Sequence, residues 1–154
     1  MSTSFLTKDG FLKLQEELEF LRTTKRQEIA ERLHEAMEGG ELIENAEYEA
    51  AKNEQAFVEG RIKDIEVLLA TAKVVDESQK VAGSVQVGSK VTIKEEGGKP
   101  ETYIIVGAAE AMPSEGKISN ESPLGKALIN HGKGEKVHVE APAGSFVVEI
   151  IKVA

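Results

Sequence analysis

A chain of 154 residues without cysteine, 40% of them apolar, has room for one ordinary domain or two small ones, and it excludes disulfide scaffolds and thiolate metal centres. The formal net charge of -8 lies wholly in residues 1–79, which hold 10 Lys and Arg against 18 Asp and Glu, while residues 80–154 hold nine of each. No apolar run approaches the roughly 18 residues of a membrane span and no basic-then-apolar leader opens the chain, so no membrane partner is expected and the cytoplasm is the expected compartment.

Thr7 opens a first helical pattern as a hydroxyl cap, with Asp9 in the first turn to complement the helix dipole. Apolar residues recur at Phe11, Leu14, Leu18 and Leu21, then at Ile29, Leu33 and Met37, with Lys25 interrupting the stripe. Gly39-Gly40 ends the segment, since glycine readily takes the left-handed conformation that closes a helix. Asn45 is expected to cap a second helix carrying Ala50, Val58, Ile62, Ile65, Leu69 and Ala72. Residues whose numbers sum to 83 face each other nearly all the way down, as in Leu14 with Leu69 and Leu18 with Ile65. That is the pattern of an antiparallel two-helix coiled coil bent near residue 41, a rod on the order of 40 Å. The seam is imperfect where Lys25 meets Val58 and Ile29 meets Glu54.

The bend is acidic. Between Arg32 and Lys52 stand Glu35, Glu38, Glu41, Glu44, Glu47 and Glu49 and no Lys or Arg. Like charges crowded at a hairpin repel one another, so a chain that keeps them there points to a cation or a basic partner. Further along the rod sit Arg22, Lys25, Arg26, Arg61 and Lys63, with Arg22 set opposite Arg61. Two readings stand: solvated faces with intrahelical partners such as Glu28 and Glu66, or a phosphate contact partway along the rod. The rod is too acidic overall for strong independent binding to nucleic acid.

From about Val74 the period changes. Ser84–Ile93 reads as strand, turn, strand; Thr102–Val106, Val137–Glu140 and Phe146–Ile151 read as further strands. Ser122–Leu128 reads as a short helix with Ser122 as cap and Pro123 at its first position. The fold class expected is α+β: a coiled-coil hairpin over residues 1–79, then a small sheet domain over residues 80–154. His34, His131 and His138 are too scattered for a metal site, Ser122 looks like a cap rather than a nucleophile, and no phosphate-binding glycine loop is present. Tyr103 and Phe146 are too few aromatics to assemble a proline-isomerase pocket easily.

Three ordered motifs carry a resemblance. The first arm has Leu6-Thr7, Gly10-Phe11 and Leu14-Gln15-Glu16-Glu17-Leu18, then Lys25-Arg26. The bend has Glu44-Asn45-Ala46-Glu47-Tyr48, Ala50-Ala51-Lys52 and Glu59-Gly60-Arg61-Ile62. The second half has Ile118-Ser119-Asn120-Glu121-Ser122-Pro123-Leu124-Gly125-Lys126-Ala127-Leu128. Along nearly its whole length the chain resembles the bacterial Gre transcript-cleavage factors, in the GreA branch.

The resemblance implies an N-terminal coiled coil followed by an FKBP-like domain. It implies a transcription elongation factor, expected as a monomer, that enters the secondary channel of bacterial RNA polymerase and stimulates the polymerase's own cleavage of backtracked RNA. The isolated chain is then not expected to be an enzyme. Glu41 and Glu44 take the tip roles, completing the shell of a weakly held Mg²⁺ in the polymerase and orienting water, with Asn45, Glu47 and Tyr48 shaping the tip. Mg²⁺ is shared with the polymerase, and the free protein has no cofactor or metal site of its own. Arg22, Lys25, Arg26 and Arg61 take the contact with the extruded RNA 3′ end; DNA is met only through the elongation complex. Ser119, Ser122, Pro123, Leu124 and Gly125 take the docking role.

The chain departs from the family pattern at three places: Glu41 where Asp is usual, Met112 where an acid is common, and Ile129-Asn130-His131 where Leu-Gly-Lys is common. The alternatives are a channel-binding relative that inhibits polymerase without promoting cleavage, and a helical-hairpin adaptor or chaperone.

Overall fold

The structure, a computed structural model, describes residues 4–38, 46–76 and 81–154. The chain divides into two compact units, Leu12–Thr71 and a second made of Met1–Phe11 with Ala72–Ala154.

The first unit is the hairpin. α1 (Lys8–Phe20) runs into a wide π turn (Leu21–Lys25) and on into α2 (Arg26–Glu38); α3 (Ala46–Thr71) is the returning arm. Ion pairs that join Arg22 to Glu66, Arg26 to Glu59 and Arg32 to Glu54 show rising numbers meeting falling ones, so the arms are antiparallel. The π turn has a cause in the apolar spacing. A seam of period 3.5 alternates steps of three and four, but Leu21, Lys25, Ile29 and Leu33 are three steps of four in a row. One residue is therefore in excess. The wide turn absorbs it: the Arg26 N–H reaches back five residues to the Leu21 carbonyl.

Beyond the turn Ile29 stays buried as expected, and the stripe then ends one residue early. Ala36 is 6% exposed and Met37 55%, so Ala36 and not the expected Met37 closes the first arm's stripe. Likewise Ala51 is buried in α3 and the expected Ala50 is exposed.

In the second unit the chain's ends are tied together. β1 (Phe5–Thr7) pairs in parallel with β2 (Lys73–Val75), Phe5 level with Lys73. Thr7 caps α1 as expected, its Oγ accepting from the Gly10 N–H at 3.0 Å. Glu110, in a 3₁₀ turn (Ala108–Glu110), accepts from the Thr7 N–H at 2.8 Å and from its hydroxyl at 2.5 Å. This clasp and the β1–β2 pair bring the first eleven residues into the unit that holds the chain's second half. The observed division thus falls at Phe11/Leu12 and Thr71/Ala72, where the sequence suggested a single one at 79/80.

The rest is a five-stranded sheet in the order β5-β4-β3-β7-β6: β3 (Lys90–Glu95), β4 (Glu101–Val106), β5 (Lys117–Ser119), β6 (Lys136–Ala141) and β7 (Gly144–Val153). Val91 and Ile93 of β3, Val137 and Val139 of β6, and Val148 and Ile150 of β7 alternate inward, as a sheet with one covered face requires. α4 (Pro123–Leu128) contributes Leu128 to this core. The fold class is α+β, as expected. The expected strand over Ser84–Val87 is not one: Val85 and Val87 plug the core, but the Val85 N–H bonds the His131 carbonyl and its carbonyl takes the Asn130 N–H. Its backbone is satisfied by a loop instead of a ladder.

Candidate functional site

At the bend, Glu41, Glu44 and Asn45 lie outside the described residues. The flanks are described. α2 ends at Glu38, and α3 begins at Ala46 with Glu47 and Glu49 in its first turn, where the helix dipole favours carboxylates. Glu47 is exposed and Tyr48 half-buried.

The four expected phosphate contacts lie on the described arms, and each faces a carboxylate. Arg22 meets Glu66 at 2.7 Å. Arg26 grips Glu59 with two bonds at 2.7 and 2.8 Å, and Arg61 grips Glu17 at 2.8 and 2.9 Å. Lys25 meets Glu54 at 2.8 Å and Glu28 at 3.6 Å. Arg22 and Arg61, set opposite by the pairing rule, thus turn to different partners. Two-bonded arginine pairs hold their geometry better than ordinary surface pairs do.

The imperfect part of the seam is settled by the same means. Ile29 is 2% exposed, and Glu54 pairs with the cations one turn either side of Ile29, Lys25 and Arg32. Sequence reasoning missed Arg32 and the carboxylates Glu17, Glu54 and Glu59 as members of this surface, and it gave Glu66 as a partner within its own helix where it pairs across the arms. The signal was there: the pairing rule, extended a few positions to either side of the seam, reaches every one of these pairs.

Hydrogen bonds from Lys25 and then Arg32 hold the Glu54 carboxyl below its ordinary range; that of Glu59 is lowered by Arg26. Lys25 is raised in turn, chiefly by its bond to Glu54. A carboxyl depressed in the folded state adds stability that is complete above its unfolded value, about 4.3, and is lost as pH falls through the folded value. The expected result is a hairpin whose thermal midpoint falls as pH drops below about 4.3, with a shallower acid slope in Glu54→Gln. Circular dichroism melts at stepped pH check it; an unchanged slope refutes the pairing.

In the second unit the residues expected to dock have distinct local tasks. Ser122 caps α4: its Oγ accepts from the Gly125 N–H at 3.1 Å and donates to the Ser119 carbonyl at 2.6 Å. The Ser119 Oγ accepts from the Glu121 N–H at 3.0 Å. Gly125 is buried against the Ser119 carbonyl, leaving no room for a Cβ. Pro123 is exposed, and Leu124 is half-buried. Leu124 lines a cleft of about 190 Å³ with Tyr103 and Phe146, so the two aromatics do share a cleft. Its lining includes Glu95, Lys99 and Glu101, and the Tyr103 hydroxyl donates to Glu101 at 2.5 Å. That bond, with burial behind it, pushes the phenol up to about 12.

Two of the departures find a place. Asn130 has φ +69° just past the end of α4. This left-handed position is where a helix most often takes glycine and next asparagine. The substitution for the usual Gly is thus compatible with the fold. Met112 is 46% exposed and bridges Lys117 through its backbone, its N–H to the Lys117 carbonyl at 2.8 Å.

A hairpin with an acidic bend, laced by ion pairs and joined to a small sheet unit, defines a class that comparison with known proteins makes specific. The model for the N-terminal part of transcription elongation factors matches residues 4–74, and the GreA/GreB C-terminal model matches residues 79–154. The chain belongs to the GreA/GreB family of transcription elongation factors. It is 49% identical over 149 residues to transcription elongation factor GreA of Listeria monocytogenes serotype 4a, covering 96% of this chain and 93% of that one. It is 48% identical over 151 residues to that of Chloroflexus aurantiacus, covering 97% and 96%. Among solved structures it is similar to GreA factor homolog 1 (Gfh1) of Thermus thermophilus, 31% identical over 99% of each chain with a TM-score of 0.45. Among the described residues, no helix is long and apolar enough to cross a membrane.

Proposed function

We propose that this transcription elongation factor acts inside the secondary channel of bacterial RNA polymerase and stimulates the polymerase's own hydrolysis of backtracked RNA. The observation that carries the reading is the acidic bend: six glutamates between Arg32 and Lys52 with no Lys or Arg among them, in a chain matched by the family models over residues 4–74 and 79–154. Hydrolysis of a phosphodiester by two metal ions needs one to ready the water and one to stabilise the leaving oxygen. Mg²⁺ takes oxygen donors and is commonly held by only one or two carboxylates, which suits Glu41 and Glu44 as partial ligands. The residues of this chain would supply those donors and orient water; the polymerase would supply the rest. Glu47 and Tyr48, opening α3, support the bend beside Asn45. Ser119, Ser122, Pro123, Leu124 and Gly125 form the docking segment, with Pro123 and Leu124 presenting the apolar contact.

Transcript cleavage in defined backtracked complexes of the cognate polymerase tests this. Mg²⁺-dependent shortening of the RNA is expected with the wild type and lost in Glu41→Ala with Glu44→Ala, with polymerase binding retained. Binding without shortening, restored by Glu41→Asp, would make the chain a channel-occupying inhibitor. Neither binding nor shortening would leave the adaptor reading.

A further inference from the structure

The surface formed by Arg22, Lys25, Arg26 and Arg61 is not a bare cationic patch. Every one of these side chains carries a carboxylate partner within 2.9 Å. We propose that Glu17, Glu54, Glu59 and Glu66 set the affinity of this patch for single-stranded RNA. They hold it too low to capture free RNA, while leaving it competent for an RNA end presented at high local concentration. The inference rests on the reading above, that the patch meets extruded RNA.

Affinity for a nucleic acid comes mainly from cations that displace condensed counterions from phosphates. A guanidinium already paired with a carboxylate has little net charge to offer, and the carboxylate repels the incoming phosphate. The pairs are nonetheless exchangeable: the side chains of Arg22, Arg26 and Arg61 remain 46, 45 and 41% exposed, and exposed ion pairs are weak. Geometry provides a route. Arg26 and Arg61 give their Nε and one Nη to the carboxylate, and a guanidinium has five N–H donors, so its other edge stays open. A phosphate can therefore arrive beside the carboxylate before displacing it. An RNA end held next to the hairpin in a complex has an effective concentration in the millimolar range, enough to drive that exchange where dilute free RNA fails.

The test uses the full chain and a fluorescein-labelled single-stranded RNA of about ten nucleotides, followed by anisotropy at low salt. Glu59→Gln with Glu66→Gln is expected to bind at least about tenfold more tightly than wild type, with a salt slope steeper by about one. Adding Arg22→Ala and Arg26→Ala should remove the gain. Glu95→Gln with Glu96→Gln, on exposed residues of the other unit, makes the same change in net charge and should leave binding near wild type. The proposal is overturned if the Glu59/Glu66 variant stays within twofold of wild type, if the Glu95/Glu96 control tightens as much, or if the gain survives loss of the arginines. Helical circular dichroism confirms that each variant is folded. Tight RNA binding by the Gln variant, with no transcript cleavage by the wild type, would sink the cleavage reading and leave this inference standing.

Discussion

Gly107→Ala is expected to cost the second unit about 3 kcal/mol or more and to lower its thermal midpoint by roughly 12 °C or more. A Cβ on Gly107 would fall well inside contact distance of the Phe5 carbonyl oxygen. That neighbour is backbone, held in the β1–β2 pair, and cannot swing aside as a side chain would. The strand must move or Gly107 must, and either takes Leu6, 0% exposed, out of its packing. Overpacking of this kind costs about 1–3 kcal/mol, and uncovering a leucine about 2 more. Gly60→Ala supplies the control. Gly60 lies within α3 with nothing inside 4 Å of a built Cβ, so alanine there should stabilise by about 1 kcal/mol. Thermal melts of the two variants check both signs; a Gly107→Ala protein as stable as wild type would refute the interlock.

Insertion and deletion at the π turn should have opposite outcomes. Thr24 is exposed in the middle of that turn. Removing it lets the turn close to ordinary α-helix while Ile29, Leu33 and Ala36 stay on the seam, because the turn exists to absorb one surplus residue. The deletion should therefore leave the hairpin within about 1 kcal/mol of wild type, with the geometry of ordinary helix regained. Inserting one alanine after Thr24 adds a second surplus residue and rotates those side chains by about 100°. Ile29 and Ala36 then leave the interface, a loss of about 3 kcal/mol. Urea unfolding followed at 222 nm compares the two. If deletion proves as damaging as insertion, the account of the π turn is wrong.

These two variants mark where the sequence was readable and where it was not. The hairpin was legible because Leu14, Leu18, Ile62 and Ile65 repeat at helical spacing whatever lies around them. The surplus residue was visible too, as three consecutive steps of four around Lys25. How the backbone absorbs such a residue depends on which carbonyl the Arg26 N–H finds, and no pattern of side chains encodes that directly. Met37 was misplaced by one for this reason; Ala50 lies one residue off the heptad that Ala51 shares with Val58 and Ile65. β1 and β2 span three residues each, too short for an alternation to show. Val85 and Val87 alternate like a strand, yet the Val85 backbone is answered by Asn130 and His131, a partnership only the tertiary fold creates. The cations of the patch could be read from composition; their pairing across the arms, between residues 29 to 44 apart, needed the pairing rule carried a few positions off the seam. The acidic bend was legible as charge. Its chemistry came from the resemblance.

The clasp between Thr7 and Glu110, 103 residues apart, sets an order of events during synthesis. When the ribosome has released the first eighty or so residues, the hairpin Leu12–Thr71 has everything its seam needs. Phe5–Thr7 has only β2 to pair with: Gly107 and Glu110 have yet to emerge, and so have the strands of the sheet. The first residues made are thus among the last to be locked, waiting until the other end of their unit has been translated. Non-local closure of this kind is the slow step in small domains. A nascent chain with between 80 and 107 residues released would carry a finished hairpin and an unfinished second unit.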